Sequence, residues 1–426
     1  MVLYEEMKGA NIHMDLISLL AFVAVIVLAF VCKVNTGLLA VGVSLILARV
    51  AGITDKALLG MFDSKMFIML LGVMYLFCIA QENKTLDVLT KKVLVLCKGK
   101  VQLFPVLLFL LAAILSAIGP GLISVTALMA AMTVSLAKQT GVHPIKLLPF
   151  ATLGAFAGGL SSITPSGIVA ITKATEAGIT GLDWPLLWKM ALTNALYALI
   201  LYFFVFKWHK IRGVALPEEE KTPALSLKQW ITLAGIVATA LLTVLFDINV
   251  GLVGIAVSVV LTIIGAADEG AALKKVPWGT LIMITGVGIL INLVTELGGI
   301  DLLTKWLSAL MNDITASPII CILAGVMSWF SSASGVVMPT LIPTVPGLVA
   351  NLSGVTALGL TVSLCIGAHL AALSPLSSCG GLMLAAYSSD EGVDAKARNK
   401  MFIHLFAMSA CGLVFSAVLA LLGLYN

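Results

Sequence analysis

Charge is what this chain has least of. Only 11% of its 426 residues are Asp, Glu, Lys or Arg, against 60% that are hydrophobic, so it cannot cover a water-facing surface at ordinary charge density. That scarcity excludes a soluble fold. The net charge of +4 is small and falls mostly between apolar runs, which leaves no basic face for a nucleic acid. The seven cysteines are scattered with no CxxC pair, so buried small hydrophobes are expected, not a disulfide frame or a metal site. The N-terminus, MVLYEEMKGANIHMD, lacks the basic region and cleavage site of a signal peptide, and the first apolar run is expected to be retained. A GxSxG nucleophile motif is missing too, as is any Asp or Glu close to a helix breaker inside an apolar run.

What is present is a series of apolar runs long enough to cross a bilayer as helix. They lie near 13–33, 35–53, 66–81, 145–174, 186–207, 229–246, 250–266, 279–294, 355–388 and 401–424. Two further stretches, 101–138 and 317–350, are too long for one span and carry breakers at their centres, GPG at 119–121 and SSASG at 331–335. The chain reads as an all-α polytopic membrane protein of ten transmembrane helices plus two re-entrant hairpins. Irregular backbone at membrane depth must be buried in protein or line a watery cavity, so both hairpin tips should face something polar. Most of the 25 Lys and Arg collect on one side if both termini are outside, including Lys84, Lys91, Lys92, Lys98 and Lys100, with Lys207, Lys210, Arg212, Lys221 and Lys228 in the central loop. This bias makes the 208–228 loop cytoplasmic, with the acidic triplet Glu218 to Glu220 as a solvated face.

The chain also repeats itself. A shift of 214 places IMLLGV (68–73) on IMITGV (282–287), with Glu82 on Glu296, Asp87 on Asp301, Thr90 on Thr304 and Lys91 on Lys305. A shift of 213 places Gly154 on Gly367, Ser161 on Ser374 and Gly167 on Gly380. Each half, 1–208 and 229–426, then holds five spans and one hairpin, joined by a linker at 209–228. Five is odd, so the second copy enters the membrane from the opposite side: an inverted-topology repeat.

Inverted repeats with interrupted helices are transporter architecture, with substrate and ions held at mid-membrane between broken helix ends. The first break is GGLSSITPSG (158–167) and its partner is ALSPLSSCGG (372–381). Glycines and prolines there free backbone N–H groups suited to an anion and carbonyls suited to Na⁺. The expected anion-binding residues are Ser124 and Thr126 at the first hairpin, and Ser162, Thr164 and Ser166 at the first break. Ser331, Ser332 and Ser334 complete the second hairpin, and Ser377 and Ser378 the second break. Gly121, Gly159, Ser161, Gly167, Ser374 and Gly380 are the expected Na⁺ ligands, largely through backbone. Because no Arg or Lys is near any break, Na⁺ would supply the countercharge to an anionic substrate. His369, five residues before Ser374, is the one titratable group near a break, able to couple protons or to sit neutral between helices. With Ser374 or Ser331 it is also the sole candidate pair for an intramembrane serine hydrolase.

The segments VNTGLLAVGVSLILA (34–48) and LLGVMYLFCIAQENKTLDVL (70–89), with the lysine run that follows, closely resemble the N-terminal region of malonate and dicarboxylate carriers of the MatC type. A hairpin followed by a broken helix in each half is similar to the divalent anion:sodium symporters and the wider ion transporter superfamily. The resemblance implies a secondary carrier of small dicarboxylates, commonly Na⁺-coupled, in a bacterial inner membrane, working as a homodimer by an elevator motion. On that pattern 1–100 and 229–316 are scaffold, and 101–208 and 317–426 form the moving transport domain, with hairpins 101–138 and 317–350 and broken helices 145–174 and 355–388. The symporters carry Ser-Asn-Thr at both hairpin tips. Neither tip has an asparagine here, GPGLISVT and SSASGVV standing in its place. H⁺ coupling, or exchange of another small anion, stays open beside Na⁺ symport.

Overall fold

The computed structural model describes residues 14–86, 88, 101–207, 224–246, 248–350, 352–388 and 393–426. The N-terminal acidic segment, Lys91, Lys92, Lys98 and Lys100, and Lys210, Arg212 and Lys221 of the central loop lie outside the described residues. The described residues are helical throughout, in an order that runs twice along the chain.

The first series is α1 (Met14–Cys32), α2 (Thr36–Val50), the short α3 (Asp55–Gly60), α4 (Ser64–Glu82), α5 (Phe104–Ala117), α6 (Gly121–Thr140), α7 (Leu148–Gly158), α8 (Pro165–Glu176) and α9 (Asp183–Leu201). The second is α10 (Leu227–Phe246), α11 (Val250–Ile263), the short α12 (Glu269–Lys275), α13 (Trp278–Glu296), α14 (Gly299–Ser308), α15 (Ala316–Phe330), α16 (Ala333–Val349, a chain of π, α and 3₁₀ turns), α17 (Ala357–Ala371), α18 (Ser378–Ser388) and α19 (Ala395–Leu421). Both ends of α4 are 214 residues before those of α13. The caps repeat as well: Asn35 accepts from the N–H groups of Gly37 and Leu38, and Asn249 from those of Gly251 and Leu252, which satisfies orphan donors at each helix start.

Among the described residues, five helices (α1, α4, α9 with its π turn to Phe206, α13 and α19) are long and apolar enough to cross a membrane singly, and α15 with α16 forms a pair bent by 118°. The chain is an integral membrane protein. The runs at 145–174 and 355–388 differ from single spans: each is two half-helices, α7–α8 and α17–α18, separated by a short loop. Three amphipathic or short helices, α3, α12 and α14, occupy stretches that the apolar pattern leaves as loops, because hydropathy detects crossings and these do not cross.

Glycine decides how the two series meet. α2 crosses α13 where Gly37 lies against the backbone of Ile282 and Gly286, and α11 crosses α4 where Gly251 lies against Ile68 and Gly72. A Cβ at any of the four would fall inside the neighbouring backbone, so only glycine lets these helices touch main chain to main chain. The same device recurs where Gly154 of α7 meets Phe109 of α5, and Gly367 of α17 meets Cys321 of α15. Tyr197 and Tyr425 then tie the α9 and α19 regions together through bonds to the Met408 carbonyl and the Thr193 hydroxyl.

Candidate functional site

Each break is closed by one hydroxyl. α7 ends at Gly158 and α8 starts at Pro165, whose missing N–H costs nothing in a first turn. Thr164 caps α8, accepting from the Gly167 N–H, while its own hydroxyl donates to the carbonyls of Gly159 (2.7 Å) and Ser161 (2.8 Å). At the second break Ser377 donates to the carbonyls of Ala372 (2.5 Å) and Ser374 (2.8 Å). A Cβ on Gly167 would run into the Ser161 carbonyl, and one on Gly380 into that of Ser374. The glycines are there because the loop folds back onto the half-helix.

The hairpins differ. The first turns at Ile118–Pro120, with positive φ at Gly119 (139°) and Gly121 (75°), a backbone open to glycine but not to its neighbours. Ser161 of the break donates to the Ala117 carbonyl at the end of α5 (2.7 Å), and Gly121 sits against the Pro165 ring. The first hairpin tip and first break are thus bonded and packed to each other. At the second tip Ser331 donates to the Met327 carbonyl of its own helix, and Ser332 caps α16 by accepting from the Gly335 N–H.

Between these pieces lies a small cleft, lined by Pro120, Gly121 and Ser124 of the first tip, Pro165 and Ser166 of the first break, Ser334 of the second tip, and Met74, Pro277, Thr280 and Ile284 of α4 and α13. It adjoins a second small space along α4, past Phe77, Cys78 and Gln81, with Met74, Pro120, Ser124 and Pro277 lining both. The first turns of α6, α8 and α16 contribute Gly121 to Ser124, Ser166 and Ser334 to the lining, which sets the positive ends of three helices around one volume. No Lys or Arg lines it.

Of the residues singled out from sequence, Gly121, Ser124, Ser166 and Ser334 share this cleft. Thr164, Ser377 and Ser374 are buried, the first two closing the breaks and the third accepting from the Leu376 N–H. Gly159, Ser161, Gly167 and Gly380 form the folded-back loops, and Thr126 is buried beside Cys379. Ser162 and Ser378 are exposed and line neither space. His369 is fully buried, with Nδ1 on the Cys365 carbonyl (2.7 Å), which makes Nδ1–H the donor. Nε2 has no partner among the described residues and the ring packs edge-on to Phe156, its counterpart in the other series. Among the described residues it makes no bond to Ser374 or Ser331, so the Ser–His pair that a hydrolase needs is not assembled. Met74, Pro277 and Thr280 escape sequence reading because their counterparts, Gly288, Asp63 and Met66, share no chemistry with them.

Residues 12–159 match the family model described as the dicarboxylate carrier protein MatC N-terminus. The match takes in roughly the first third of the chain, from α1 through the first hairpin to α7. No curated protein gives a significant match. Among solved structures, the chain is similar to the YdaH transporter of Alcanivorax borkumensis, a crystal structure described as having an unusual topology. The similarity has a TM-score of 0.58 at 12% sequence identity and covers 86% of each chain. At that identity the likeness to the YdaH transporter is one of fold.

Proposed function

We propose that the protein is a secondary active transporter of small dicarboxylates, malonate or a C4 diacid, coupled to Na⁺ and working by an elevator motion as a homodimer in the cytoplasmic membrane. The observation that carries this reading is the convergence of three helix N-termini with Ser124, Ser166, Ser334 and Thr280 in one cleft without a Lys or Arg. Such a site suits an anion small enough to be held by hydroxyls and backbone N–H groups, and the MatC match supplies the dicarboxylate class.

Na⁺ enters as co-substrate. The folded-back loops crowd the Ser161 carbonyl against Gly167 and the Ser374 carbonyl against Gly380; the Gly159 carbonyl accepts from the Thr164 hydroxyl, while those of Ser161, Ala372 and Ser374 each accept from a hydroxyl and a backbone N–H. Hard oxygen ligands of this type fit Na⁺, which would offset the charge of the dianion beside it. In the elevator reading, α1–α4 and α10–α14 are the frame and α5–α9 with α15–α19 carry the site. The two series enter the membrane from opposite sides with both termini outside.

The test is uptake of radiolabelled malonate and succinate by proteoliposomes with Na⁺ present or absent. Na⁺-dependent accumulation of either is the expected result, and no uptake under either a Na⁺ or a pH gradient would reject the reading. Accumulation driven by a pH gradient alone would reject Na⁺ coupling and point to His369.

A further inference from the structure

The two ends of the cleft are not equivalent. Along α4, the open space runs past Met74, Phe77, Cys78 and Gln81 and ends at Pro277 of α13. At the other end of α4, about 27 Å from Gln81 at 1.5 Å per residue, α8 packs against α4, and a single ion pair spans them. Lys173 of α8 reaches Asp63, the N-cap of α4, at 3.9 Å, and Glu176 of its own helix at 2.7 Å. The Lys173 side chain is only 5% exposed and that of Asp63 18%. Asp63 Oδ1 accepts from the Met66 N–H, while Oδ2 is buried with no hydrogen bond and has Lys173 as its cation. A buried ammonium is held only where carboxylates meet it, and removing one partner leaves the other uncompensated.

The internal repeat shows what is special about this pair. Counterparts of Asp63 and Lys173 are Pro277 and Ala386, neither of which carries charge, and α18 does not pack on α13 as α8 packs on α4. We propose that the Asp63–Lys173 pair is a one-sided latch, which holds shut the end of the site at α8 and favours the state open towards Gln81 and Pro277. It rests on the elevator reading, in which α8 travels with the site while α4 stays in the frame. Exchange to the opposite state would draw α8 away from Asp63, break the pair, and uncover Met66, whose counterpart Thr280 lines the cleft now. The counterpart positions, Pro277 and Ala386, can form no such pair at the other end, so the latch biases the two states instead of merely slowing their exchange.

Asp63→Asn is the incisive variant, since asparagine keeps the cap on α4 and removes only the charge. Lys173→Met keeps the stem and removes the ammonium. Each is made in cysteine-free full-length protein carrying one reporter: Met66→Cys, the native Cys78 or the native Cys365. Labelling by a membrane-impermeant maleimide is followed in liposomes without substrate. The latch requires that Asp63→Asn, Lys173→Met and the double variant each raise labelling of the Met66→Cys reporter by a similar factor, on the order of tenfold, because all three remove one interaction. Cys78 labelling should fall and Cys365 labelling, a control deep in the moving part, should not change. An unchanged rate at the Met66→Cys reporter in both single variants overturns the proposal. So does a rise matched at Cys365, which would mean loosening of the whole fold. Wild-type dicarboxylate uptake is measured alongside: its absence would reject the transport reading, whereas the labelling ratios test the latch without any substrate.

Discussion

The second hairpin with α8 and the first hairpin with α18 are built from the same plan and pack differently. At the second, Gly335 of α16 rests on Met283 of α13, α8 lies on α4, and Lys173 meets Asp63. At the first, a small space lies between the tip and α4, lined by Pro120 and Ser124 on one side and Met74, Phe77 and Cys78 on the other, and Gly119 comes in against Phe77. One sequence plan has thus produced a closed end and an open end. The lesson is that a repeat fixes the set of helices and crossings but not how the hairpins and half-helices pack on them.

The comparison breaks most severely at the crossings. Gly72→Leu and Gly286→Leu, counterparts at the α4–α11 and α13–α2 contacts, should each abolish folded protein or cost more than the ~1–3 kcal/mol of ordinary overpacking, because the obstacle is backbone. Equal losses, read as yield by size-exclusion chromatography, would mark the frame as symmetric; survival of one would show that its crossing is not tight.

The next effect separates cleft from surface. Ser334→Ala and Ser124→Ala remove hydroxyls facing the cleft and should lower uptake about tenfold, the loss of one hydrogen bond to a charged group. Ser162→Ala and Ser378→Ala, which are exposed, should stay within about twofold in the same initial-rate assay. The opposite ranking would move the site from the cleft to the break loops.

A smaller and symmetric effect is expected at the breaks. Thr164→Ala and Ser377→Ala each strip a hydroxyl from two loop carbonyls and should cost about 1–2 kcal/mol, seen as parallel falls in melting temperature in detergent. A large loss at one break alone would show that the two loops carry unequal load.

Smallest is a tie on the closed side. Asp313 accepts from the Ser353 hydroxyl and N–H at 2.8 Å each, and these bonds, with one from Gly354, hold its carboxyl below the usual carboxylate range. The bonded form is the ionised one, so its contribution is present above the ordinary pKa of about 4 and is lost as pH falls through the lower folded value. Asp313→Asn should therefore melt slightly below wild type at neutral pH, with the gap closing in acid. A gap that does not change with pH would assign the effect to shape instead of charge.

Much of the architecture was legible in the residues because the signals are local. Gly and Pro at 158–167 and 372–381 interrupt helices wherever they stand, and a Thr or Ser just before the second half-helix caps it using atoms within a few residues. The nearly constant offset between halves needs no coordinates either. The cleft's membership was not legible. Ser162 and Ser166 look alike in sequence, yet one is exposed and the other faces the cleft, since a loop's rotation relative to the next helix is set by what packs on it. Thr280 and Asp63 were hidden for a further reason: they lie where the halves differ, and a search by likeness passes over them.

By itself, then, the sequence determined that this is a polytopic helical membrane protein, where its helices break, and that its halves are related. Hydrophobicity, backbone sterics and capping act over a few residues. Tertiary structure alone decided which hydroxyls share the cleft and that Lys173 is buried against Asp63 110 positions earlier. Those outcomes depend on how rigid half-helices stack across long separations, where small differences between near-equal packings choose the state.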